Sequence, residues 1–312
     1  MSPSTATTST TRMGVIELTT AMLISGTVGV FVVESGADPF TVAFFRCVFG
    51  AAALALYCLA RGYLRDTGFT ARTFLLALLG GVFLVFNWVF LFMSYSMTSI
   101  SVATVVYHTQ PFYVLLLGAV VFKERLTRTK IGRTVLAFAG FLLVTDPTDP
   151  GSGSGYALGV ALALTAALLY ALTTIIAKHL KNIRPHVIAL VQVLAGIPLL
   201  LPFTDTASLP GLGTGWAWLV GIGLLHTFTQ YVLMYSGYQK LPTHLIAVLS
   251  FVYPAMAIIV DMFVYGTAIG ALQTVGIALI VLASLADSLA PKPKTPSTTD
   301  TEPARAPTDT RR

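Results

Sequence analysis

Charged residues are scarce in this chain. Only 10% of its 312 residues are Asp, Glu, Lys or Arg, whereas 55% are hydrophobic, and the mean hydropathy is +0.79. Soluble domains carry about a quarter charged residues, so one or two ordinary soluble domains are excluded. The apolar residues form runs of about 20 between short polar breaks, which is the length that a membrane-spanning helix needs.

Cysteine is also scarce, and a signal peptide is missing. Cys47 and Cys58 lie in one predicted helix, about 16 Å apart along its axis, which is too far for a disulfide. We predict that both face lipid or take part in packing. The Ser- and Thr-rich start ends at Arg12 and leads into a long apolar run without a small-residue cleavage site.

Catalytic and cofactor motifs are missing as well. The sequence has no H-E-x-x-H, no Cys/His cluster, no P-loop and no glycine-rich phosphate cradle. We therefore expect no enzyme activity, no metal and no cofactor. The lack of a nucleotide-binding motif also argues against a pump driven by ATP.

The apolar runs predict an all-α integral membrane protein with ten transmembrane helices. An even number of spans places both termini on the same side of the membrane. The predicted spans are 13–33, 39–62, 71–95, 98–122, 130–145, 155–178, 185–203, 215–238, 243–265 and 268–289.

The placement of the charges predicts the orientation. Apart from Arg46, every Lys and Arg lies in the tails or in one alternating set of breaks. The other breaks contain only acidic charges. By the positive-inside rule, both termini are cytoplasmic. The net charge of +6 thus follows from topology, and we expect no nucleic-acid partner. The acidic residues of the outer breaks are Glu34, Asp38, Asp146, Asp149 and Asp205.

The two halves of the chain show a weak internal repeat. Five spans per half is an odd number, so the second half must enter the membrane from the opposite side, as in many secondary transporters. A shift of 143 positions aligns Gly80 with Gly223, Asn87 with Gln230, Tyr95 with Tyr238 and Pro111 with Pro254, and a shift of 146 aligns Arg46 with Gln192. The predicted division is a cytoplasmic tail 1–12, a first repeat 13–147, a periplasmic loop 148–154, a second repeat 155–289 and a disordered cytoplasmic tail 290–312.

Three stretches resemble a known repeat: PFTVAFFR at 39–46, HTQP at 108–111 and KERLT from Lys123. They resemble the EamA-type repeat of the drug/metabolite transporter superfamily, and the resemblance covers about residues 14–289. Within that superfamily the chain is most similar to YddG-type exporters of aromatic and other amino acids. The resemblance implies a secondary transporter in a bacterial inner membrane. It further implies a small-molecule substrate such as an amino acid, and we favour a monomer.

Polar residues in the fourth span are the first candidates for substrate contact. Thr104, His108 and Pro111 share one helix face, which either lines a cavity or bridges to a neighbouring helix. Pro111 and its counterpart Pro254 are either hinges or fixed kinks. The substrate-binding candidates are Asn87, Trp88, Thr104, Tyr107, His108, Gln110, His226, Gln230, Ser250 and Tyr253.

Two charged residues in the spans have alternative interpretations. Arg46 either snorkels outward or pairs with Asp261. Glu17 is either a favourable acid at a helix N-terminus or a proton-coupling site. One off-centre Arg is too little for a strongly anionic substrate, which would need several basic groups.

Together with the resemblance, which implies export and amino acids as the substrate class, these residues predict an exporter of small, partly apolar metabolites. It would work by alternating access, down the gradient of its substrate. The first alternative is a proton-coupled multidrug exporter that uses Glu17, His108 or Asp261. A membrane-embedded enzyme or a scaffold is the second. The missing catalytic constellation argues against the enzyme, and the repeat argues against the scaffold.

Overall fold

The computed structural model describes residues 3–98, 103, 106–144, 155–207, 209–266 and 270–288. Within these residues the chain forms helices joined by turns and short loops, with no β-strand. The helices are α1 Pro3–Gly26, α2 Val28–Ser35, α3 Pro39–Ala60, α4 Ala71–Met97, α5 Gln110–Phe122, α6 Arg128–Val144, α7 Tyr156–His179, α8 Pro185–Leu200, α9 Gly215–Gly221, α10 Gln230–Lys240, α11 Thr243–Leu249, α12 Val252–Tyr265 and α13 Ala271–Ser288. A π-helical segment, Ile222–Thr229, joins α9 to α10.

Seven helical segments among the described residues are long and apolar enough to cross a membrane. They correspond to the first three predicted spans and to the sixth, seventh, eighth and ninth. The helices of the fourth, fifth and tenth predicted spans are shorter. Ten crossings and two cytoplasmic termini therefore stay predictions. The loop 148–154 and the tail 290–312 lie outside the described residues.

The first span differs from the predicted single run 13–33. The helix begins at Pro3, so most of the predicted tail 1–12 is helical; a helix that an apolar run has nucleated extends readily into polar flanks. It is interrupted at Thr27, whose side-chain Oγ1 donates to the Ile24 carbonyl at 2.8 Å. The second piece, α2, then ends at Gly36 in the left-handed conformation.

Both candidate prolines lie in the first turn of a helix. A turn at His108 and Thr109 precedes Pro111 in α5, and a turn at Ser250 and Phe251 precedes Pro254 in α12. The first-turn N–H groups of a helix have no intrahelical partner, so a proline there removes no helical hydrogen bond. Each predicted kink thus lies just after a turn that interrupts the α-helical pattern.

Each main contact between the two halves has a counterpart under the repeat. The contact of α1 with α10 corresponds to that of α7 with α4. The contact of α3 with the π segment corresponds to that of α8 with α4. Helices α6 and α13, which are counterparts of each other, also pack together. This arrangement is what two halves related by a two-fold axis would give. That the halves cross in opposite directions stays a prediction.

Glycines allow the close approaches in this packing. A Cβ on Gly50 of α3 would lie 2.3 Å from Thr227 Cγ2, and one on Gly223 would lie 2.3 Å from Phe49 Cβ. Small residues at helix contacts are the usual device in membranes, where hydrophobic burial cannot drive association. The two cysteines are fully buried in the core, so packing is their role and the lipid-facing alternative is wrong.

Candidate functional site

Arg46 lies at the centre of the contact between α3 and the π segment. Its Nε donates to Thr227 Oγ1 at 3.3 Å and its Nη2 donates to the His226 carbonyl at 3.0 Å. The guanidinium carbon lies 4.6 Å from the ring centre of Trp88 and 5.7 Å from that of Tyr231. A cation over an aromatic face is stabilised by the ring quadrupole, by about 1–2 kcal/mol when the pair is desolvated.

The local sequence explains this position. Gly50 follows Arg46 by one helical turn on the same face of α3, so the backbone of α3 can approach Thr227 closely. The π segment, in which i→i+5 bonds replace the α pattern, contains both acceptors of Arg46. Such segments occur frequently at functional sites. The side chain is directed towards these groups inside the bundle. The side chain of Asp261, the predicted partner, lies outside the described part of the structure, so that pairing stays a prediction.

Tyrosines extend the site beyond Arg46. Asn87 Nδ2 donates to Tyr107 Oη at 3.2 Å, and the ring of Tyr107 lies 6.1 Å from that of Tyr170. The Tyr170 and Tyr238 hydroxyls are 3.3 Å apart. We call Arg46, Trp88, Tyr107, Tyr170 and Tyr231 the central site.

Three residues of the central site retain part of their accessible surface. Arg46, Tyr107 and Tyr170 are only half-buried, although they lie well inside predicted spans and face neighbours on other helices. Trp88 and Tyr231, which contact the guanidinium of Arg46, are buried, with 8% and 3% of their surface exposed. The arrangement offers one cation, several hydroxyl groups and aromatic faces. It contains no nucleophile–base pair, and the described residues hold no group of three metal-binding side chains.

The candidate amides bridge helices. Asn87 Nδ2 also donates to the Ala166 carbonyl of α7 at 2.8 Å, and Gln230 Nε2 donates to Ser25 Oγ of α1 at 2.7 Å. These two contacts are counterparts, because the repeat exchanges α4 with the eighth span and α7 with the first. Each is worth about 0.6–2 kcal/mol in a membrane. The buried Gln230 Oε1 has no partner among the described residues.

His226 is held at the break in the first span. Its Nε2 lies 2.9 Å from Thr27 Oγ1, and its ring lies 4.7 Å from that of Phe31 in an edge arrangement. The side chain is fully buried. His226 and Gln230 therefore both tie the eighth span to the first, where α1 gives way to α2, and His226 does not reach the central site through its side chain.

His108 is part of a second cluster, packed between aromatic rings. It stacks on Phe141 at 4.2 Å and lies parallel to Tyr253 at 5.7 Å. Phe251, its repeat counterpart, lies 6.5 Å away. Tyr107 joins this cluster to the central site, since its ring lies 5.9 Å from His108.

The other candidates lie near this cluster or outside the described residues. Gln110 is buried, and its Nε2 has no partner among the described atoms. Ser250 donates to the Ile246 carbonyl at 2.8 Å, so its hydroxyl is used within its own helix. Thr104 lies outside the described residues.

Two ion pairs lie at the predicted cytoplasmic ends of the helices. Lys240 Nζ lies 2.5 Å from Glu17 Oε1, joining α10 to α1. Lys178 Nζ lies 3.4 Å from Glu124 Oε1, and Glu124 also accepts from Thr243 Oγ1 at 2.7 Å. Because α1 begins at Pro3, Glu17 lies about four turns inside the helix, so its interpretation as an acid at a helix N-terminus is wrong. Its partner is Lys240.

Sequence reasoning did not identify Arg46, Tyr170 and Tyr231 as a group. The signal was present in the repeat, since the shift of 143 that aligns Asn87 with Gln230 also aligns Trp88 with Tyr231. Two counterpart aromatics that contact one cation must lie close to the axis relating the halves. The repeat could therefore have located the centre of the bundle.

The family model for EamA-like transporters matches this chain twice, over residues 12–146 and 157–286. The chain belongs to the EamA-like transporter family. Membership confirms the predicted superfamily, and the relatives are transporters, consistent with the expectation that this protein is not an enzyme.

Several curated relatives of this EamA-like protein are transporters by name. It is 34% identical over 270 residues to the uncharacterized transporter YxxF of Bacillus subtilis, covering 85% of this chain and 86% of that one. An uncharacterized transporter of Archaeoglobus fulgidus is 26% identical over 275 residues, covering 88% and 96%. One solved crystal structure has a TM-score of 0.76 at 19% identity, covering 88% of this chain and 97% of that one. That likeness concerns the fold alone.

Proposed function

We propose that this EamA-like transporter exports amino acids with aromatic or apolar side chains through the central site. The observation that carries the proposal is the position of Arg46 beside Trp88 and Tyr231, with half-buried Tyr107 bonded to Asn87, the neighbour of Trp88 in the chain, and packed against Tyr170. Aromatic faces favour an apolar or aromatic side chain, and they add about 0.5–1.5 kcal/mol beyond burial for each ring pair.

The proposed mechanism is alternating access between the two halves. On the predicted cytoplasmic side, the pairs Glu17–Lys240 and Glu124–Lys178 join helices of different halves. Such contacts are only partly buried, so they can break and reform at modest cost. In this proposal they close the cytoplasmic end, and their opening admits substrate to the central site. The breaks before Pro111 and Pro254 provide places where helical pieces can move separately.

We propose that transport is facilitated diffusion, driven by the concentration gradient of the substrate alone. A proton-coupled exporter needs an ionisable group that loses and gains its proton during the cycle. Glu17, the carboxylate named for that role, is already engaged in an ion pair with Lys240. This pairing supports transport driven by the substrate gradient over the proton-coupled alternative.

Transport assays in liposomes test the proposal. Purified protein is reconstituted, and uptake of labelled L-phenylalanine, L-leucine and L-lysine is measured with and without an imposed proton gradient. We expect uptake of the first two, at the same rate in both conditions and above that of protein-free liposomes. If no amino acid moves in either condition, the proposed substrate class is wrong. Uptake that requires the proton gradient would instead support the coupled exporter.

A further inference from the structure

The charge of Arg46 is not neutralised by any described side chain. Its hydrogen-bond partners are a hydroxyl on Thr227 and the carbonyl of His226, and both are neutral. The ion pairs that the described residues form involve Lys178 and Lys240. An ionisable side chain within a span is expensive unless it is paired or faces a wet cavity. Arg46 is therefore suited to a mobile counterion.

The guanidinium group retains free donors for such a counterion. Arginine has five N–H donors, and only two of its contacts here are hydrogen bonds to protein atoms. The residue is half-buried, and none of its nitrogens is both buried and without a partner. Nη1, which has no protein partner among the described residues, is thus not fully buried. A planar fork with adjacent free donors matches the two oxygens of a carboxylate.

The packing at this position does not require a charge. Gln192 is the repeat counterpart of Arg46 and lies fully buried in α8. It packs against Gly80, which is the counterpart of Gly223, and it accepts a hydrogen bond from the Tyr235 hydroxyl. A neutral amide therefore occupies the equivalent position against α4 in the other half, although its hydrogen bond goes to Tyr235 of α10. The charge of Arg46 is an addition to the symmetric framework.

We infer that Arg46 is the binding site for the carboxylate group of the transported substrate. Trp88 and Tyr231 hold the guanidinium group, while Thr227 and the His226 carbonyl fix its Nε–Nη2 edge, so that Nη1 is left for the substrate. One arginine selects one carboxylate, which defines the substrate class as α-amino acids and other monocarboxylates. This inference rests on the proposed export of amino acids, because it assigns their carboxylate to a specific residue.

Three probes that differ in one group test the inference. L-Phenylalanine carries both the ammonium and the carboxylate, L-phenylalaninamide lacks the carboxylate, and 3-phenylpropionate lacks the ammonium. Affinities for the purified protein and uptake into proteoliposomes are measured for the wild type, Arg46→Gln and Arg46→Lys. Arg61→Gln is the matched control, since Arg61 is exposed at the end of the same helix.

Arg46→Gln should weaken binding of L-phenylalanine and 3-phenylpropionate about tenfold or more, as expected for the loss of a charge-assisted bidentate contact. Binding of L-phenylalaninamide should change by less than about twofold, because its amide does not need the cation. Arg46→Lys should give an intermediate loss for the two carboxylates, since a point charge replaces the fork. Arg61→Gln should leave all three affinities unchanged.

The possible results separate the two proposals. Equal weakening of all three probes by Arg46→Gln, or no weakening at all, overturns the role of Arg46. If Arg46→Gln is not monodisperse, Arg46→Lys decides, and wild-type affinity for both carboxylates in that variant overturns the role. Arg46-dependent binding of 3-phenylpropionate without transport of any amino acid supports the carboxylate site and overturns the proposed function. If the wild type binds none of the probes, both are wrong.

Discussion

The rings of His108 and Phe251 lie 6.5 Å apart, although 143 positions separate the two residues in the chain. That separation equals the shift that aligns the two halves of the sequence. Under the predicted two-fold symmetry, counterparts can touch each other only near the axis that relates the halves. The aromatic cluster around His108 is therefore close to this axis. Of the two counterparts, His108 is polar and Phe251 is apolar.

Replacement of His108 by phenylalanine tests whether its polarity serves transport. Because Phe141 stacks on His108 at 4.2 Å, a phenyl ring should keep the packing, and the melting temperature should change by less than about 4 °C. Uptake of L-phenylalanine should fall about fivefold, the effect of one lost hydrogen bond. His179→Phe, at the end of α7, is the control. A large drop in melting temperature with unchanged uptake per folded protein would show that His108 only packs.

Gly50→Ala tests the close contact that positions Arg46. The added Cβ would lie 2.3 Å from Thr227 Cγ2, so Thr227 must shift away. Overpacking of this kind costs about 1–3 kcal/mol, and we expect a lower melting temperature together with weaker binding of 3-phenylpropionate. Gly29→Ala is the control, because a Cβ there meets nothing within 4 Å. Equal effects of the two substitutions would contradict this account of the contact.

The ion pair between Glu17 and Lys240 can be tested by a double-mutant cycle. Glu17→Gln or Lys240→Met alone should lower the free energy of unfolding by about 1–3 kcal/mol, because each leaves a partly buried charge without its partner. The double variant should recover part of that loss. We expect the response of uptake to a proton gradient to stay absent in all three. A proton-driven wild type that becomes uncoupled in Glu17→Gln would show that Glu17 carries protons.

The predicted orientation can be tested with single cysteines. Ala71→Cys lies on the predicted cytoplasmic side and Ala207→Cys on the outer side, and both positions are exposed. The native Cys47 and Cys58 are buried, so their background labelling should be low. In intact cells, a membrane-impermeant maleimide should label only Ala207→Cys. Labelling of Ala71→Cys from outside would reverse the orientation.

The sequence predicted much of the architecture, because length, apolarity and charge placement act over whole segments. The family and the helical class are confirmed, and the break at Pro111 was visible as a proline inside an apolar run. The break at Thr27 was not visible in the sequence, because no proline lies there and the single Gly26 is a weak signal. It depends on a tertiary contact, the hydrogen bond of Thr27 with His226.

The candidate site was predicted less completely, because burial and direction of side chains depend on packing. Trp88 and Tyr107 lie in the central site, whereas His226 and Gln230 bridge the eighth span to the first. Arg46 was expected to snorkel or to pair with Asp261. Only the approach of α3 to the π segment, which Gly50 and Gly223 permit, brings its guanidinium to Trp88 and Tyr231.

The central claim is that this protein is a carrier that moves amino acids without ion coupling. Counterflow tests that claim most directly. Proteoliposomes are preloaded with unlabelled L-phenylalanine and diluted into a trace of the labelled compound, with equal pH and salt on both sides. The account predicts a transient accumulation of label above the external concentration, which Arg46→Gln abolishes and Arg61→Gln preserves. No accumulation in the wild type, or accumulation only when a proton gradient is imposed, would contradict it.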